Sequence, residues 1–307
     1  MQVFLTGATG YIGSAVLDAL IKGGHRVTAL ARDPEKAERL LAKGATPIIG
    51  ELALPKTYLD AAKYADAVVH TALETLPRGI AKEKDALDIM LGAQTQASQA
   101  DGKSRVFVYT SGIWVLGRTV KAAEEDAPLE PPAYSEWRPA HEDRVLSASS
   151  ELLRTVVVRP GIVYGGGRGI VSDLIKDALN GLIRVVGPGK NRWPCIYAHD
   201  LGVLYLRILE TPTAVGVIHA TDEADERVMD IAEAIAAQVP QRPDIRNVPM
   251  AEARKKLGTY ADALALDQKV RSTKARALGW EPTQTGVINS VARLVEEFRN
   301  AQRELNS

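Results

Sequence analysis

The sequence predicts an α/β protein built on a doubly wound parallel sheet, with a smaller C-terminal lobe. Strand-like apolar runs alternate with helix-like amphipathic runs through the first two-thirds of the chain. The length of 307 residues suits two domains or one large α/β domain. We therefore predict a sheet domain at residues 1–180 and a lobe mainly at residues 181–307, whose segments need not be contiguous.

Apolar runs define the predicted strands in order, and amphipathic segments between them define the helices. After a buried strand at residues 3–6, Val16, Leu17 and Leu20 fall on one face of a helix that stops at Gly23. The later strands are "HRVTAL", "ATPIIG", "DAVVHTA", "RVFVYTS" and "LRTVVVRPG". Helices are predicted at 34–43, 58–64, 80–99, 139–150 and 170–180. Beyond residue 181 the short strand "GVIHAT" is expected among helices at 230–238, 250–257 and 286–304.

The first strand is followed by three glycines, Gly7, Gly10 and Gly13, in "TGATGYIG". Glycine lets a turn adopt unusual dihedral angles and removes the Cβ that would block a ligand. The helix that follows presents unpaired N–H groups to an anion. This strand, turn and helix predict a dinucleotide diphosphate site, with a sharp turn that binds nothing as the alternative.

Composition and charge exclude several classes of partner. The 38 basic side chains balance the 38 acidic ones, so no net field favours nucleic acid or an anionic membrane. The single cysteine, Cys195, excludes an internal disulfide and is expected to be a buried apolar residue. The histidines lack metal-ligand spacing, and neither a signal peptide nor an apolar stretch of ~20 residues is present. We expect a cytoplasmic protein with a small-molecule substrate and no metal.

The end of the second predicted strand reads "ALARDP" and bears on the choice of cofactor. An acidic residue there binds the ribose hydroxyls of NAD and repels the 2′-phosphate of NADP. Ala31 occupies that place, and Arg32 offers a guanidinium that suits a phosphate. Asp33 is expected to cap the helix that starts at Pro34. The sequence favours NADP over NAD, with a solvated Arg32 as the alternative.

The chain resembles the extended, epimerase/dehydratase-like branch of the short-chain dehydrogenase/reductase superfamily. The resemblance extends in order along nearly the whole chain. The stretches that carry it are "TGATGYIG", "DAVVHTA", "VYTSGIWVLG", "VVRPGIVYGGG", "IYAHDLG" and "LGWEPT".

The resemblance implies a Rossmann-type fold that binds NAD(P) and pairs as a homodimer through the helices at 80–99 and 139–150. It implies that Glu51 and Leu52 lie near the adenine, Thr71 and Ala72 along the diphosphate and ribose, and "RPG" at 159–161 beside the nicotinamide. The implied cofactor contacts are Gly7, Thr9, Gly10, Tyr11, Ile12, Gly13, Arg32, Glu51, Leu52, Thr71, Ala72, Tyr109, Pro160, Gly161 and Val163.

Members of this superfamily pair a tyrosine acid with a lysine four residues later on one helix face. Here "AYSEWRPAHEDRVL" places Tyr134, Arg138 and Glu142 in that register, with arginine at the lysine position. A guanidinium favours the phenolate but cannot release a proton into a relay. Pro139 indicates that the helix begins only there, in which case Tyr134 and Arg138 do not share a helix face.

A serine or threonine of the fifth strand usually orients the substrate oxygen in this superfamily. Gly112 takes that position here, so Thr110 and Ser111 are the candidate replacements. Only one of them faces the site, because successive strand residues point to opposite faces. We predict Tyr134 as the acid, with a surface or pocket aromatic as the alternative interpretation. His141 is a second candidate donor, and otherwise a solvated helix residue.

Further residues are candidates for substrate contacts. Trp114 and Trp137 are either packing residues or neighbours of an apolar or aromatic substrate, and Gly112 lies in the same segment. Arg192 either binds an anionic group or forms a salt bridge. Asp200 is expected to cap a helix that starts at Leu201.

The resemblance leaves three functions open. The first is an NAD(P)-dependent oxidoreductase, NADP favoured, that transfers hydride between the nicotinamide and a small, apolar carbonyl or alcohol. The second is a nucleotide-sugar epimerase or dehydratase with an internal redox cycle. The third is a catalytically silent NADP-binding regulator, which Gly112 and Arg138 make credible.

Overall fold

The computed structural model describes residues 1–74 and 77–305. The chain divides into two compact units that interleave along the sequence, so no single boundary near residue 180 separates them. The first unit comprises 1–111, 137–159 and 201–218, and the second comprises 112–136, 160–200 and the described residues from 219 onward. Within the described ranges, no helix combines the length and the apolarity needed to cross a bilayer.

The helices and strands follow the predicted order closely. The first part of the chain forms β1 (Gln2–Thr6), α1 (Tyr11–Lys22), β2 (Arg26–Ala31), α2 (Pro34–Ala42), β3 (Thr46–Ile49), α3 (Leu59–Tyr64), β4 (Ala67–His70), α4 (Pro77–Asp101), β5 (Arg105–Thr110), α5 (Arg138–Ser147) and β6 (Leu153–Pro160). The remainder forms β7 (Ile162–Tyr164), α6 (Ile170–Leu179), β8 (Leu182–Val186), β9 (Arg192–Trp193), β10 (Cys195–Tyr197), α7 (Ala198–Glu210), β11 (Gly216–Ala220), β12 (Glu226–Arg227), α8 (Val228–Gln238), β13 (Asp244–Val248), α9 (Met250–Leu257), α10 (Tyr260–Leu264), α11 (Thr273–Ala277) and α12 (Val291–Leu305).

A seven-stranded sheet in the order β11-β6-β5-β4-β1-β2-β3 is the centre of the first unit. The ladders between β3, β2, β1, β4, β5 and β6 are all parallel. From β1 the chain adds β2 and β3 on one side, and it then returns to add β4, β5 and β6 on the other side. The order therefore reverses between β1 and β4, and at such a point a crevice at the carboxyl ends of the strands binds ligands. The predicted doubly wound α/β class is confirmed. The "GVIHAT" strand, expected among the elements of the lobe, instead joins this sheet beside β6.

Apolar side chains on both faces of the strands explain why this sheet is central. Phe4, Val68, Phe107 and Val157 belong to one buried cluster beside α3 and α4. The α1 face predicted from periodicity is buried at Val16, Leu17 and Leu20. Strands that are buried on both faces have continuous apolar sequences, which is why these strands could be predicted.

The two helices expected to pair between subunits lie side by side in the first unit. Arg144 Nε of α5 approaches Asp88 Oδ1 of α4 at 2.9 Å. The apolar positions Ala86, Met90 and Ala93 are buried within the chain itself. The homodimer therefore stays a prediction.

The second unit has short paired strands and its own apolar core. β7 pairs with β10, β8 with β13, and β9 with β12. The core contains Ile175 of α6, Ile231 and Ile235 of α8 and Leu294 of α12. Cys195 is buried in this core as expected, and burial raises the pKa of its thiol.

Candidate functional site

Two of the three glycines in the turn after β1 are required by the packing of the chain itself. Gly7 has a φ of +77°, and a Cβ there would lie 2.7 Å from the backbone nitrogen of Ala72. A Cβ on Gly13 would lie 2.0 Å from the carbonyl oxygen of Gly7 and 2.6 Å from Thr71 Oγ1. These contacts bring the start of α1 against the segment that follows β4.

The middle glycine, Gly10, has a weaker intramolecular reason to be glycine. Its φ of −74° is ordinary, and an added Cβ would approach only the Gly7 carbonyl, at 3.0 Å for the oxygen. Gly10 is the N-cap of α1, and no side chain caps this helix end within the described residues. A bare backbone at a helix N-terminus beside the crevice fits a diphosphate, since its N–H groups and the helix dipole favour an anion.

The residues after β4 support this turn. Thr71 donates from its backbone N–H and from Oγ1 to the carbonyl oxygen of Thr6, at 3.2 and 2.8 Å. Thr71 and Ala72 are both partly exposed. The Thr71 hydroxyl therefore joins the end of β4 to the end of β1, and both residues lie beside the glycine turn.

The end of β2 separates the roles of Arg32 and Asp33. Arg32 is exposed. Asp33 is the N-cap of α2, and its carboxylate accepts a hydrogen bond from the Lys36 backbone N–H at 2.9 Å. Hydrogen bonds from Lys36 also lower the pKa of Asp33. The predicted cap is confirmed. Glu51 is exposed and Leu52 is partly buried in the loop after β3.

Ser111 and Glu142 form a buried network with Arg159 in the first unit. Arg159 donates to Glu142 from Nε at 3.1 and 3.2 Å and from Nη2 at 2.6 Å. The Ser111 hydroxyl also donates to Glu142. Glu142 is 1% exposed and Arg159 is 4% exposed. A carboxylate enclosed by these donors fixes α5 against the ends of β5 and β6.

The hydroxyl of Thr110 also has a partner within the first unit. Thr110 Oγ1 lies 2.6 Å from the hydroxyl of Tyr205 on α7, and both groups are buried. Burial raises the pKa of Tyr205, so its phenol stays neutral. Thr110 and Ser111, the two candidates for the substrate-orienting hydroxyl, are therefore both hydrogen-bonded to buried side chains of the protein.

Arg138 is the first residue of α5, and Tyr134 lies in the turn at residues 133–137 before it. Tyr134 therefore precedes the helix and does not share a helix face with Arg138, as Pro139 indicated, although the helix begins one residue before that proline. The Arg138 guanidinium lies 4.4 Å from the centroid of the Trp137 ring, and its Nη1 donates to the Thr110 carbonyl at 3.4 Å. Trp137 accordingly packs under a cation.

His141 is buried, which corrects the alternative of a solvated helix residue. It belongs to a carboxylate–histidine cluster in the first unit, made of His70, Glu83, Tyr109 and His141, all buried. Glu83 lies at 3.3 Å from His141 Nδ1, at 3.9 Å from His70 Nε2 and at 3.3 Å from the Tyr109 hydroxyl. Glu83 and His70 were not predicted as site residues, because no local motif links β4, α4, β5 and α5. The Tyr109 side chain is enclosed here, so any cofactor contact from it involves the backbone.

His70 gives this cluster a measurable pH dependence. Burial lowers the pKa of His70 to about 4, whereas an unfolded histidine titrates near ~6.5. As the pH falls from 6.5 towards 4, the unfolded chain binds a proton that the folded chain refuses, so the free energy of unfolding decreases. We expect His70 to account for a loss of about 2 kcal/mol between pH 7 and pH 5. Denaturant unfolding of wild type and His70→Gln at both pH values measures it.

The comparison with the variant is needed because another buried group acts in the opposite direction. Burial raises the pKa of Asp222 in the second unit to about 6, so its protonation favours folding as the pH falls. The difference between wild type and His70→Gln cancels this contribution. Equal losses of stability in the two proteins between pH 7 and pH 5 would show that His70 does not titrate in this way.

In the second unit, Tyr134 belongs to a cluster of three rings that we call the aromatic cluster: Trp114, Tyr134 and Tyr260. The ring centroids lie 5.6 Å apart for Trp114 and Tyr134, 5.8 Å for Trp114 and Tyr260, and 5.0 Å for Tyr134 and Tyr260. Tyr134 is 38% exposed, and the other two rings are partly buried. Tyr260 was not predicted, since α10 carries no recognisable motif.

The remaining predicted residues of the second unit lie in the segments around β7 and β9 and at residue 112. Arg192 forms the salt bridge that was one of its two interpretations, with Nη1 at 3.3 Å from Asp267 Oδ1. Gly112 is extended, with a φ of −174°. Gly161 is confined, since a Cβ would lie 2.3 Å from the Pro194 carbonyl oxygen. Pro160 is buried and Val163 partly buried where β6 leads into β7.

Asp200 has a structural role different from the expected cap. It lies inside the first turn of α7, which begins at Ala198. Its carboxylate accepts hydrogen bonds from the backbone N–H groups of Thr283 and Gln284 at 2.8 and 3.1 Å and from Thr283 Oγ1 at 2.7 Å. The "IYAHDLG" and "LGWEPT" stretches are thus joined to each other.

Comparison with known proteins places this geometry in context. A family model described as "NAD dependent epimerase/dehydratase family" matches residues 3–220. An uncharacterized protein of Schizosaccharomyces pombe is 32% identical over 299 residues, which cover 95% of this chain and 98% of the yeast protein. The 2-alkyl-3-oxoalkanoate reductase of Stenotrophomonas maltophilia is 30% identical over 222 residues, covering 68% of this chain and 66% of the reductase.

A solved structure has the same fold. Human epimerase family protein SDR39U1, solved with NADPH, superposes with a TM-score of 0.72 at 22% identity, covering 96% of this chain and 99% of the human one.

Proposed function

The chain belongs to the NAD-dependent epimerase/dehydratase family, of the short-chain dehydrogenase/reductase type, and we propose that it is an NADP-preferring carbonyl reductase or alcohol dehydrogenase. The observation that carries the proposal is the bare Gly10 backbone at the N-terminus of α1, beside the crevice between β1 and β4. Membership in the family supports a nicotinamide cofactor, and the 30% identity to a 2-alkyl-3-oxoalkanoate reductase supports a carbonyl substrate.

Arg32 supports the preference for NADP. Its side chain is exposed at the end of β2, while the neighbouring Asp33 carboxylate is held by Lys36 at the start of α2. A guanidinium can form charge-assisted hydrogen bonds to the 2′-phosphate of NADP. Position 31 holds alanine and not the acidic residue that would bind the ribose hydroxyls of NAD. The human protein of the same fold was solved with NADPH, so this fold can accommodate the 2′-phosphate.

We assign the proton transfer to Tyr134. When bound, the reduced nicotinamide supplies a hydride to the carbonyl carbon. The carbonyl oxygen then carries a negative charge, and Tyr134 donates its hydroxyl proton to that oxygen. Because Tyr134 is 38% exposed, water returns the proton to the phenolate for the next cycle. Arg138 keeps the positive charge of the lysine that the family usually has at this position. Unlike lysine, its guanidinium cannot release a proton into a relay.

Turnover with the matched tyrosine variant tests this proposal. We expect wild type to oxidise NADPH faster than NADH with members of a panel of aldehydes, ketones and aryl ketones. Tyr134→Phe is expected to lower kcat about 10²-fold or more, since general acids contribute that much, and to leave the Kd for NADPH unchanged. Tyr64→Phe, at a tyrosine 67% exposed on α3, is the control and should match wild type.

A second candidate function is a catalytically silent dinucleotide-binding regulator. The observation that favours it is the engagement of Ser111 with Glu142 and of Thr110 with Tyr205, which leaves no hydroxyl of this segment reserved for substrate. Tight NADPH binding with no turnover of any carbonyl would support the regulator. Wild-type turnover that persists in Tyr134→Phe would instead move the proton donor to another group.

A further inference from the structure

We propose that the aromatic cluster recognises a flat, uncharged ring of the substrate, and that Tyr260 is its specificity-determining residue. The inference rests on the proposed function in that it names the substrate class of the same reaction. The cluster lies entirely within the second unit, and Tyr134, the proposed acid, is one of its three members.

Each of the three rings contacts the other two, and Tyr134 is the exposed member. Trp114 meets Tyr134 at an interplanar angle of 75° and Tyr260 at 68°, while Tyr134 and Tyr260 are inclined at 49°. Aromatic pairs favour edge-to-face or offset arrangements at such separations, so a further ring gains attraction from each neighbour. An aliphatic group of the same size gains only from the burial of its surface.

The cluster is held in place by buried polar side chains. Gln268, which is fully buried, donates from Nε2 to the carbonyl oxygens of Ile113 and Gly117 at 3.2 and 2.7 Å, on either side of Trp114. Trp193 Nε1 donates to the carbonyl of Leu264 at the end of α10 at 2.9 Å. The turn with Trp114 and the helix with Tyr260 are therefore fixed, and a rigid site spends little free energy on ordering when a ligand binds.

An acidic side chain near Tyr260, that of Asp173, disfavours anionic ligands. Burial, together with smaller contributions from the nearby Tyr134 and Asp173, raises the pKa of Tyr260 to about 12. Its hydroxyl therefore stays protonated and able to donate a hydrogen bond. An acidic neighbour such as Asp173 repels a phosphate or carboxylate, which favours a neutral ring over the diphosphate of a nucleotide sugar.

The test compares an aryl ketone with its cyclohexyl analogue of equal length. We expect Tyr260→Leu to lower kcat/KM for the aryl ketone about tenfold and for the cyclohexyl ketone by no more than about twofold, because ring pairs contribute beyond buried area. Tyr260→Phe keeps the ring and should retain most of the preference for the aryl ketone. Tyr64→Leu replaces an exposed tyrosine on α3 and is the control, with kcat/KM expected to match wild type for both ketones. Equal losses for both ketones in Tyr260→Leu would overturn the proposal.

An equilibrium measurement separates this proposal from the proposed function. Saturation-transfer NMR detects contact of the aryl ketone with the protein without any turnover. If wild type reduces no carbonyl, the proposed function fails, and loss of the aryl NMR signal in Tyr260→Leu still supports the ring site. If wild type reduces carbonyls but the signal and the selectivity are unchanged in Tyr260→Leu, the ring site alone fails.

Discussion

Replacement of Gly13 by alanine is expected to abolish dinucleotide binding and to destabilise the first unit by about 3 kcal/mol, because the new Cβ has no room. The added atom would lie 2.0 Å from the Gly7 carbonyl oxygen, which is backbone and cannot rotate away. To relieve that contact, either the glycine turn or the start of α1 must move from the crevice beside β1. Thermal and denaturant unfolding, together with NADPH titration, measure both effects.

Gly10→Ala is the matched comparison, in which we expect a small loss of stability and a large loss of NADPH affinity. The new Cβ would approach the Gly7 oxygen at 3.0 Å, and φ stays ordinary, so the expected cost in stability is about 1 kcal/mol. The NADPH Kd should nevertheless rise more than about tenfold, because the methyl group would occupy the space that the diphosphate needs. Gly92→Ala, in α4 with nothing within 4 Å of the added Cβ, is the control: it should bind NADPH like wild type and gain up to about 1 kcal/mol of stability from helix propensity. Normal NADPH binding by Gly10→Ala would mean that the diphosphate does not lie on this turn.

Arg159→Met is expected to lower the free energy of unfolding by about 3–5 kcal/mol, since it leaves the Glu142 carboxylate buried without its cation. Both side chains are almost fully buried, and three donor–acceptor contacts join them. The double variant Glu142→Leu with Arg159→Met removes both charges and should recover a large part of that loss. A double-mutant cycle by denaturant unfolding gives the coupling energy.

The exposed pair of Arg39 and Glu35 on α2 provides the contrast. Arg39→Met should change stability by less than about 0.5 kcal/mol, because water screens an exposed i,i+4 pair. If Arg159→Met were as mild as Arg39→Met, the Glu142 carboxylate could not be charged and enclosed as described. If the double variant were as unstable as Arg159→Met, the loss would come from packing and not from charge.

The sequence predicts the elements of the first unit because local signals determine them. Runs such as "VFVY" in β5 are buried on both faces, and Asp33 with Pro34 marks the start of α2 as the structure has it. The short strand "GVIHAT" was placed among the elements of the lobe because its position in the sequence suggests that neighbourhood. Its membership of the main sheet depends on long-range pairing that no local pattern encodes.

The candidate site divides in the same way. The glycine turn and Arg32 were recognisable, since a short motif carries them. Tyr260 and Gln268 were not, because each meets Trp114 or its turn from more than 140 positions away along the chain. Glu83 likewise joins His141 across two helices, and His141 is buried only because α5 packs against α4. The periodicity of apolar residues predicts which face of a helix is buried, but it does not predict which distant residue a side chain contacts.

Isothermal titration calorimetry of the full chain with NADPH and with NADH measures whether the turn after β1 binds a dinucleotide and which one it prefers. We predict saturable binding of one dinucleotide per chain, tighter for NADPH than for NADH, and a weakened preference in Arg32→Ala. Tighter binding of NADH would contradict the role of Arg32. Binding of neither dinucleotide would contradict the claim that the turn after β1 is a cofactor site, and the proposed reductase would fall with it.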